Sequence, residues 1–188
     1  MITRFLGFTA LFLCLLTACN TSSTTKNEVD AKEIELKKDA KGNGLAYLNG
    51  KIYTGKVLSH HANGNKFTEK NYVNGEEAGE WITYFSDGTK MTAGNILNGQ
   101  NHGTFQTWYP NGQLKYEQPY VNGKKHGNWL SWYEDGNKWT HREFANDQLH
   151  GKIFVWTEDG RLGKEYTYEN GQMTAKQLHF EEWEEEQE

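Results

Sequence analysis

The sequence predicts an all-β fold, an elongated antiparallel meander of 24-residue β-hairpin repeats forming a single-layer twisted sheet. Three glycine series predict it. Gly55, Gly79, Gly103, Gly127 and Gly151 stand 24 residues apart, and Gly64, Gly88, Gly112, Gly136 and Gly160 keep the same period. Gly75, Gly99, Gly123 and Gly171 form a third series, with Asp147 where its remaining glycine would fall. A fixed period of this length marks an internal repeat, each copy being one supersecondary unit.

Within a unit, the stretch after the first glycine is short, aromatic and strand-favouring, as in GEWITYFSDG from Gly79, GTFQTWYPNG from Gly103 and GNWLSWYEDG from Gly127. Asp87-Gly88, Asn111-Gly112, Asp135-Gly136 and Asp159-Gly160 then supply the positive φ that a tight hairpin turn requires. A second run returns and ends on Tyr72, Ile96, Tyr120, Phe144 or Tyr168. Asn74-Gly75, Asn98-Gly99, Asn122-Gly123 and Asn170-Gly171 make the next turn. No stretch between glycines has the length for three helical turns, so helix is disfavoured.

Composition agrees. The chain has 188 residues with 20 glycines and 2 prolines, which suits one glycine-punctuated β domain. A single-layer meander has no enclosed core, so its stability accumulates between neighbouring units. The formal charge is -5, but residues 181–188 carry six glutamates, and residues 44–180 hold 14 basic and 14 acidic side chains. A near-neutral body argues against nucleic acid as a partner, since phosphates call for a basic surface.

Taken in order, residues 1–18 have a basic start at Arg4 and an apolar run from Phe5 to Leu16, the size of a signal-peptide core rather than a membrane span. Leu16-Thr17-Ala18-Cys19 resembles the bacterial lipobox, which implies that Cys19 carries a lipid and begins the mature chain. Cys14 lies in the part that would be removed, leaving no thiol for a disulfide or metal. Asn20 follows where aspartate is associated with inner-membrane retention, and no acidic cluster follows that would signal surface export. The resemblance therefore implies a cell-envelope protein, lipid-anchored in the outer membrane, with the periplasmic face favoured.

Residues 19–43 read as a polar tether. Glu28 to Ala40 has the length of a short helix, but the alternating charges favour a solvated linker. The repeat domain spans 44–180: half a unit ending Tyr47-Leu48-Asn49-Gly50, five full units, and a closing strand from Ala175 through Leu178 and Phe180. That gives twelve strands and, at about 4.8 Å each, a sheet roughly 50 Å long. An acidic tail, 181–188, contains Trp183.

The unit resembles the bacterial variant of the MORN family, with G-x-W-x-x-(Y/W)-Y-x-(N/D)-G followed by Y-x-N-G-x-x-x-G. Gly127, Trp129, Trp132, Tyr133, Asp135 and Gly136 fit the first part, and Tyr120, Asn122, Gly123 and Gly127 the second. The first unit departs most, with His60 and His61 at aromatic positions, and the fifth has Thr157 and Asp147. The resemblance covers roughly 44–180. It implies an elongated hairpin stack used for binding or scaffolding, with no cofactor and no catalytic residues to carry over. Many bacterial chains with this repeat resemble proteins labelled antitoxins of the YwqK family. For an envelope protein this suggests an immunity protein meeting a toxin in the periplasm.

Three constellations of side chains recur in the repeats. His102, His126 and His150 recur once per unit, but equivalent positions lie two strands apart, about 9.5 Å, whereas two imidazoles on one zinc need nitrogens within about 4 Å. They read as turn-flanking polar residues. Asp87, Asp135 and Asp159 sit where hairpin turns favour aspartate before glycine, and nothing indicates the cleft that paired carboxylates need. With no nucleophile elbow, phosphate loop, HExxH or CxxC, the chain is not expected to be an enzyme. Aromatics remain. Tyr84, Trp108, Trp132 and Trp156 fall on one strand face, and Trp81, Phe105 and Trp129, with Phe85, Tyr109 and Tyr133, on the other. One face serves packing between hairpins, and rings on the other mark a surface for a protein partner or, as the alternative, a glycan or peptidoglycan.

Overall fold

A computed structural model describes residues 27–40, 42 and 44–179. The signal-peptide segment, Cys19, the first part of the tether, Phe180 and the acidic tail with Trp183 lie outside the described residues.

The chain starts with β1 (Glu28–Asp30), a 3-10 turn at Ala31–Glu33, β2 (Ile34–Lys38), β3 (Gly44–Leu48) and β4 (Lys51–Ile52). The repeats follow as β5 (Gly55–His60), β6 (Lys66–Val73), β7 (Glu76–Tyr84), β8 (Lys90–Leu97), β9 (Gln100–Asn101), β10 (Gly103–Trp108) and β11 (Leu114–Val121). They continue through β12 (Lys124–Lys125), β13 (Gly127–Trp132), β14 (Lys138–Ala145), β15 (Gln148–Leu149), β16 (Gly151–Trp156), β17 (Leu162–Glu169) and β18 (Gln172–Leu178). Twelve strands pair in the order β1-β5-β6-β7-β8-β10-β11-β13-β14-β16-β17-β18, an open antiparallel meander except where β1 joins β5 in parallel. The short β9, β12 and β15 pair beside β8, β11 and β14.

The two turns of each unit have different chemistry. In Asn122-Gly123 both residues have positive φ, 49° and 79°, and Val121 pairs with Lys124, so this is a two-residue turn of type I′. Asn146-Asp147 holds the same geometry at 51° and 70°, with no glycine. At the other turn only the glycine has positive φ. The Gly88 N–H donates to the Phe85 carbonyl, and Asp87 Oδ1 accepts from the Thr89 N–H at 2.9 Å. The aspartate therefore closes an Asx bond within a three-residue loop, and Gly88 alone supplies the left-handed residue.

The glycine that opens each unit marks an irregularity in pairing. Between the Ile96–Asn101 and Ala93–Gln106 pairs, residues 102–105 on the outgoing strand face only 94–95 on its partner. Gly103, at φ 76°, sits in this bulge. Bulges bend a strand and increase its twist, and here the bend separates the short turn-side strands from the sheet body.

The N-terminal part corrects two expectations. Residues 28–38, read as tether, form β1, the 3-10 turn and β2. The half unit at 44–52 does not open the main sheet, because β2, β3 and β4 make a separate three-stranded sheet. The physical reason is an end that needs covering. Val57 and Tyr72 of the first full unit have no preceding hairpin, and Val29, Ala46 and Tyr53 bury them in the one compact cluster among the described residues. The 3-10 turn joining the two sheets carries a capping box, with Asp30 Oδ1 accepting from the Lys32 N–H at 2.9 Å and the Glu33 side chain accepting from the Asp30 N–H. The Gly75 N–H donates to Tyr53 O at 2.7 Å and the Ala46 N–H to Gly75 O at 2.8 Å, tying the small sheet to the first turn of the large one.

Candidate binding surface

Side-chain alternation divides the sheet into two unlike faces. On the first, rings form a continuous chain: Trp81 to Phe105 at 5.7 Å, Phe105 to Tyr120 at 5.1 Å, Tyr120 to Trp129 at 5.2 Å and Trp129 to Phe144 at 5.0 Å between centroids. Their planes cross at 53–64°, the tilted and edge-on arrangements that ring quadrupoles favour. From Phe105 onward the zigzag alternates between outgoing strands, which supply Phe105 and Trp129, and returning strands, which supply Tyr120 and Phe144. Trp81 on the outgoing β7 meets Phe105 directly, because the returning strand between them carries Gly94. Gly94 is part of this packing, since a Cβ there would lie 2.6 Å from the Phe105 ring. The Trp129 indole N–H donates to Pro119 O at 3.0 Å, and Lys125 Nζ lies 4.8 Å from the Trp129 ring and 5.2 Å from that of Phe144. Ile153 and Tyr72 continue the row in the outer units, both buried.

Beside this ring ladder runs a row that sequence reasoning missed. Register aligns Ser59, Thr68, Thr83, Thr92, Thr107, Tyr116, Ser131 and Thr140 across eight consecutive strands. Ser59 and Thr68 share a hydrogen bond of 2.6 Å, as do Ser131 and Thr140. Small hydroxyl side chains hold every place in this row except that of Tyr116. The signal was a hydroxyl recurring two residues after each ladder aromatic on the outgoing strands, at Thr83, Thr107 and Ser131.

The opposite face carries Tyr84, Trp108, Trp132 and Trp156, all half-buried. Tyr84 is committed, as its hydroxyl donates to Glu69 Oε1 at 3.0 Å. Glu69 is buried, which pushes its carboxyl pKa up, but hydrogen bonds from Lys66, Lys56 and Tyr84 outweigh this and hold it down at about 2. Trp156 contacts Phe154 at 5.7 Å, with Lys138 Nζ 5.7 Å from its centroid. His141 stacks on Phe154 at 5.8 Å, and burial lowers its pKa. Trp108 and Trp132 make no ring contact among the described residues. Of the seven aromatics singled out in the sequence, Trp81, Phe105 and Trp129 are thus joined to one another or to their neighbours, while Trp108 and Trp132 stand apart.

The hairpin loops are stapled across units. Tyr109 and Tyr133 donate to the main-chain carbonyls of Trp132 and Trp156, at 3.0 and 2.9 Å. Asn111 and Asn137 reach Glu134 O and Glu158 O one loop further on, at 3.0 and 2.7 Å. Phe85 holds the same place as Tyr109 without a hydroxyl.

The recurring histidines are turn-side residues. His102, His126 and His150 donate main-chain N–H bonds to Asn95 O, Pro119 O and Glu143 O, and His102 Nδ1 lies 3.5 Å from the Asn122 N–H. Among the described residues no group of three or more His, Cys, Asp or Glu side chains is placed to hold a metal ion. Asp87, Asp135 and Asp159 each lie in a loop, bonded to the residue two positions on.

Two cavities open on the ladder face. One of about 230 Å³ is lined by Tyr116, Gln118, Trp129, Ser131, Thr140 and Arg142. Another of about 560 Å³ is lined by Arg142, Phe144, Asp147, Ile153, Tyr166 and Tyr168, among others, so it lies between the sheet body and the turn side.

No curated protein matches the chain. The family model described as MORN repeat variant matches residues 101–122 and 125–146. These segments contain β10–β11 and β13–β14, the units in which the ring ladder and the tyrosine staples are complete. The chain therefore carries two adjacent repeats of the MORN variant type.

Proposed function

We propose that this chain acts by binding and performs no chemistry: a scaffolding module that holds a protein partner on the face bearing Trp108 and Trp132. The observation that supports this most is the unequal use of rings. The ladder aromatics pack against one another, whereas Trp108 and Trp132, half-buried on strands of the sheet, make no ring contact among the described residues. Tryptophans of this kind are the side chains that most often dominate protein interfaces. MORN-type repeats are consistent with such a role. An antitoxin- or immunity-like function is the form we favour, with the chain tethered to the envelope membrane through a lipid on Cys19.

The test is crosslinking in intact cells with a tagged chain, beside Trp108→Ala and Trp132→Ala versions. One protein recovered in near-equal amount and lost with either substitution supports the reading. Full recovery with both variants refutes it. A Cys19→Ser version that still partitions with membranes would refute the anchor.

A second reading is glycan binding. Gln106, Glu117 and His141 share the face with the tryptophans, and Gln106 already bonds Glu117 at 3.2 Å. Rings flanked by such groups suit sugar faces and hydroxyls. Competition by soluble sugar separates this reading from the first.

A further inference from the structure

The ladder face changes character along the sheet. From β11 to β18, alternation sends Glu117, Glu143 and Glu165 to the opposite face, where Glu117 meets Gln106 and Glu165 meets Lys152. The residues left on the ladder face in this half include Lys125, Arg142, Lys164 and Lys176, by contact or by register, among Tyr116, Tyr120, Trp129, Phe144, Tyr166 and Tyr168. The carboxylate lining the larger cavity is Asp147 at its rim, and it accepts from the Lys125 main-chain N–H at 2.8 Å. Arg142 stands in the wall shared by both cavities and is exposed. It forms no ion pair among the described residues.

We infer that this groove, centred on Arg142, receives a peptide segment rich in carboxylates and carrying an aromatic side chain. The charge is complementary, because the half-groove gathers cations from successive repeats while the sheet exports its own acids to the other side. A guanidinium offers paired donors in one plane, matched to a carboxylate. The larger cavity beside it is walled mainly by rings and aliphatic groups, among them Phe144, Ile153, Val155 and Tyr166, that would cover an aromatic side chain. Single-stranded nucleic acid fits less well. Base stacking needs free ring faces, and Trp129 and Phe144 are turned against each other with Lys125 over both. The groove lies on the face opposite Trp108 and Trp132, so it is a second surface whose failure and theirs can be told apart.

The experiment uses the full chain with Glu181, Glu182, Glu184, Glu185, Glu186 and Glu188 replaced by glutamine, so that its own acidic end does not compete. The probe is a fluorescein-labelled peptide of five glutamates and one tryptophan, read by anisotropy, with an all-glutamine counterpart and labelled oligothymidylate alongside. The acidic peptide should bind, weaken as salt is raised, and bind at least about tenfold more tightly than the glutamine peptide. Arg142→Gln should weaken it at least about tenfold, Arg142→Lys less. Trp132→Ala and Arg161→Gln should leave it unchanged, and circular dichroism of Arg142→Gln should match the parent. No binding by the acidic peptide, equal binding by the glutamine peptide, undiminished binding by Arg142→Gln, or tighter binding of oligothymidylate would each overturn the inference.

Discussion

The phenolic hydroxyl of Tyr109 donates to the main-chain carbonyl of Trp132, 3.0 Å away and 23 residues further along the chain. The bond runs from the loop of one hairpin to the strand end of the next. It joins the two successive repeats that match the MORN variant. Tyr109→Phe and Tyr133→Phe should each lower stability by about 1 kcal/mol, the usual net value of one such bond. Phe85→Tyr, which restores the hydroxyl in the preceding unit, should raise it by up to a similar amount. Urea midpoints at constant m-value provide the measurement. No change in Tyr109→Phe would mean that water replaces the staple without loss.

Asp147 is the one place where the turn glycine is absent, yet its φ is 70°. Holding a non-glycine residue there costs of order 1 kcal/mol, and the side chain offsets this by accepting from the Lys125 N–H at 2.8 Å in the preceding unit. Asp147→Gly should therefore be close to neutral. Asp147→Ala keeps the strained φ, loses the bond, and should cost about 1–2 kcal/mol. Thermal unfolding of the two variants side by side decides whether the offset is real.

Glu69 should give the fold an acid-sensitive end. Its folded-state pKa, about 2, is depressed from 4.5 by Lys66, Lys56 and Tyr84 against the effect of burial. A depressed carboxylate contributes stability that is fully present above the unfolded value and is lost as pH falls through the folded one. The window is thus between about pH 4.5 and 2, and the contribution is on the order of 2–3 kcal/mol. Glu69→Gln should be less stable than the parent at pH 7, and the two should converge as pH falls to 2. Parallel pH curves for the two would contradict the assignment.

Gly94→Ala probes the ring ladder from the backbone side. The added Cβ would lie 2.6 Å from the Phe105 ring, and Gly94 φ is not positive, so crowding rather than backbone strain sets the cost. Overpacking of this kind costs about 1–3 kcal/mol. Combining it with Phe105→Leu should recover part of the loss relative to the sum of the single changes, since the two are in contact. Simple additivity in a denaturant double-mutant cycle would show that Phe105 moves aside freely.

Glycine spacing made the five hairpins and their turns legible, because a positive φ and a fixed period leave few alternatives. The strand count was not legible: the half unit counted into the sheet lies in the separate one, and β1 takes the edge it was given. Alternation correctly separated Trp81, Phe105 and Trp129 from Tyr84, Trp108, Trp132 and Trp156. The N-terminal cap was hidden by its charges. Lys32 to Lys38 reads as a solvated run, and the strand there is nearly all exposed, with Leu36 at 68%. What fixes the cap is Val29 together with Ala46 and Tyr53, scattered apolar residues whose role becomes visible only when Val57 and Tyr72 lack a neighbour. The hydroxyl row was hidden for another reason. Serine and threonine look unremarkable one at a time, and only cross-strand register places Ser59 to Thr140 in one line. The groove at Arg142 depends likewise on which face each charge takes.

The account divides two tryptophans three residues apart: Trp129 holds the sheet together, and Trp132 holds a partner. Replacing each by alanine and measuring both urea stability and crosslinked recovery tests that division directly. Trp129→Ala should lose about 3 kcal/mol or more, as large aromatic truncations do. Trp132→Ala should lose clearly less stability and abolish recovery. If Trp132→Ala instead destabilises the fold as much as Trp129→Ala and the surviving folded protein still captures its partner in full, both faces are packing faces and the binding assignment is wrong.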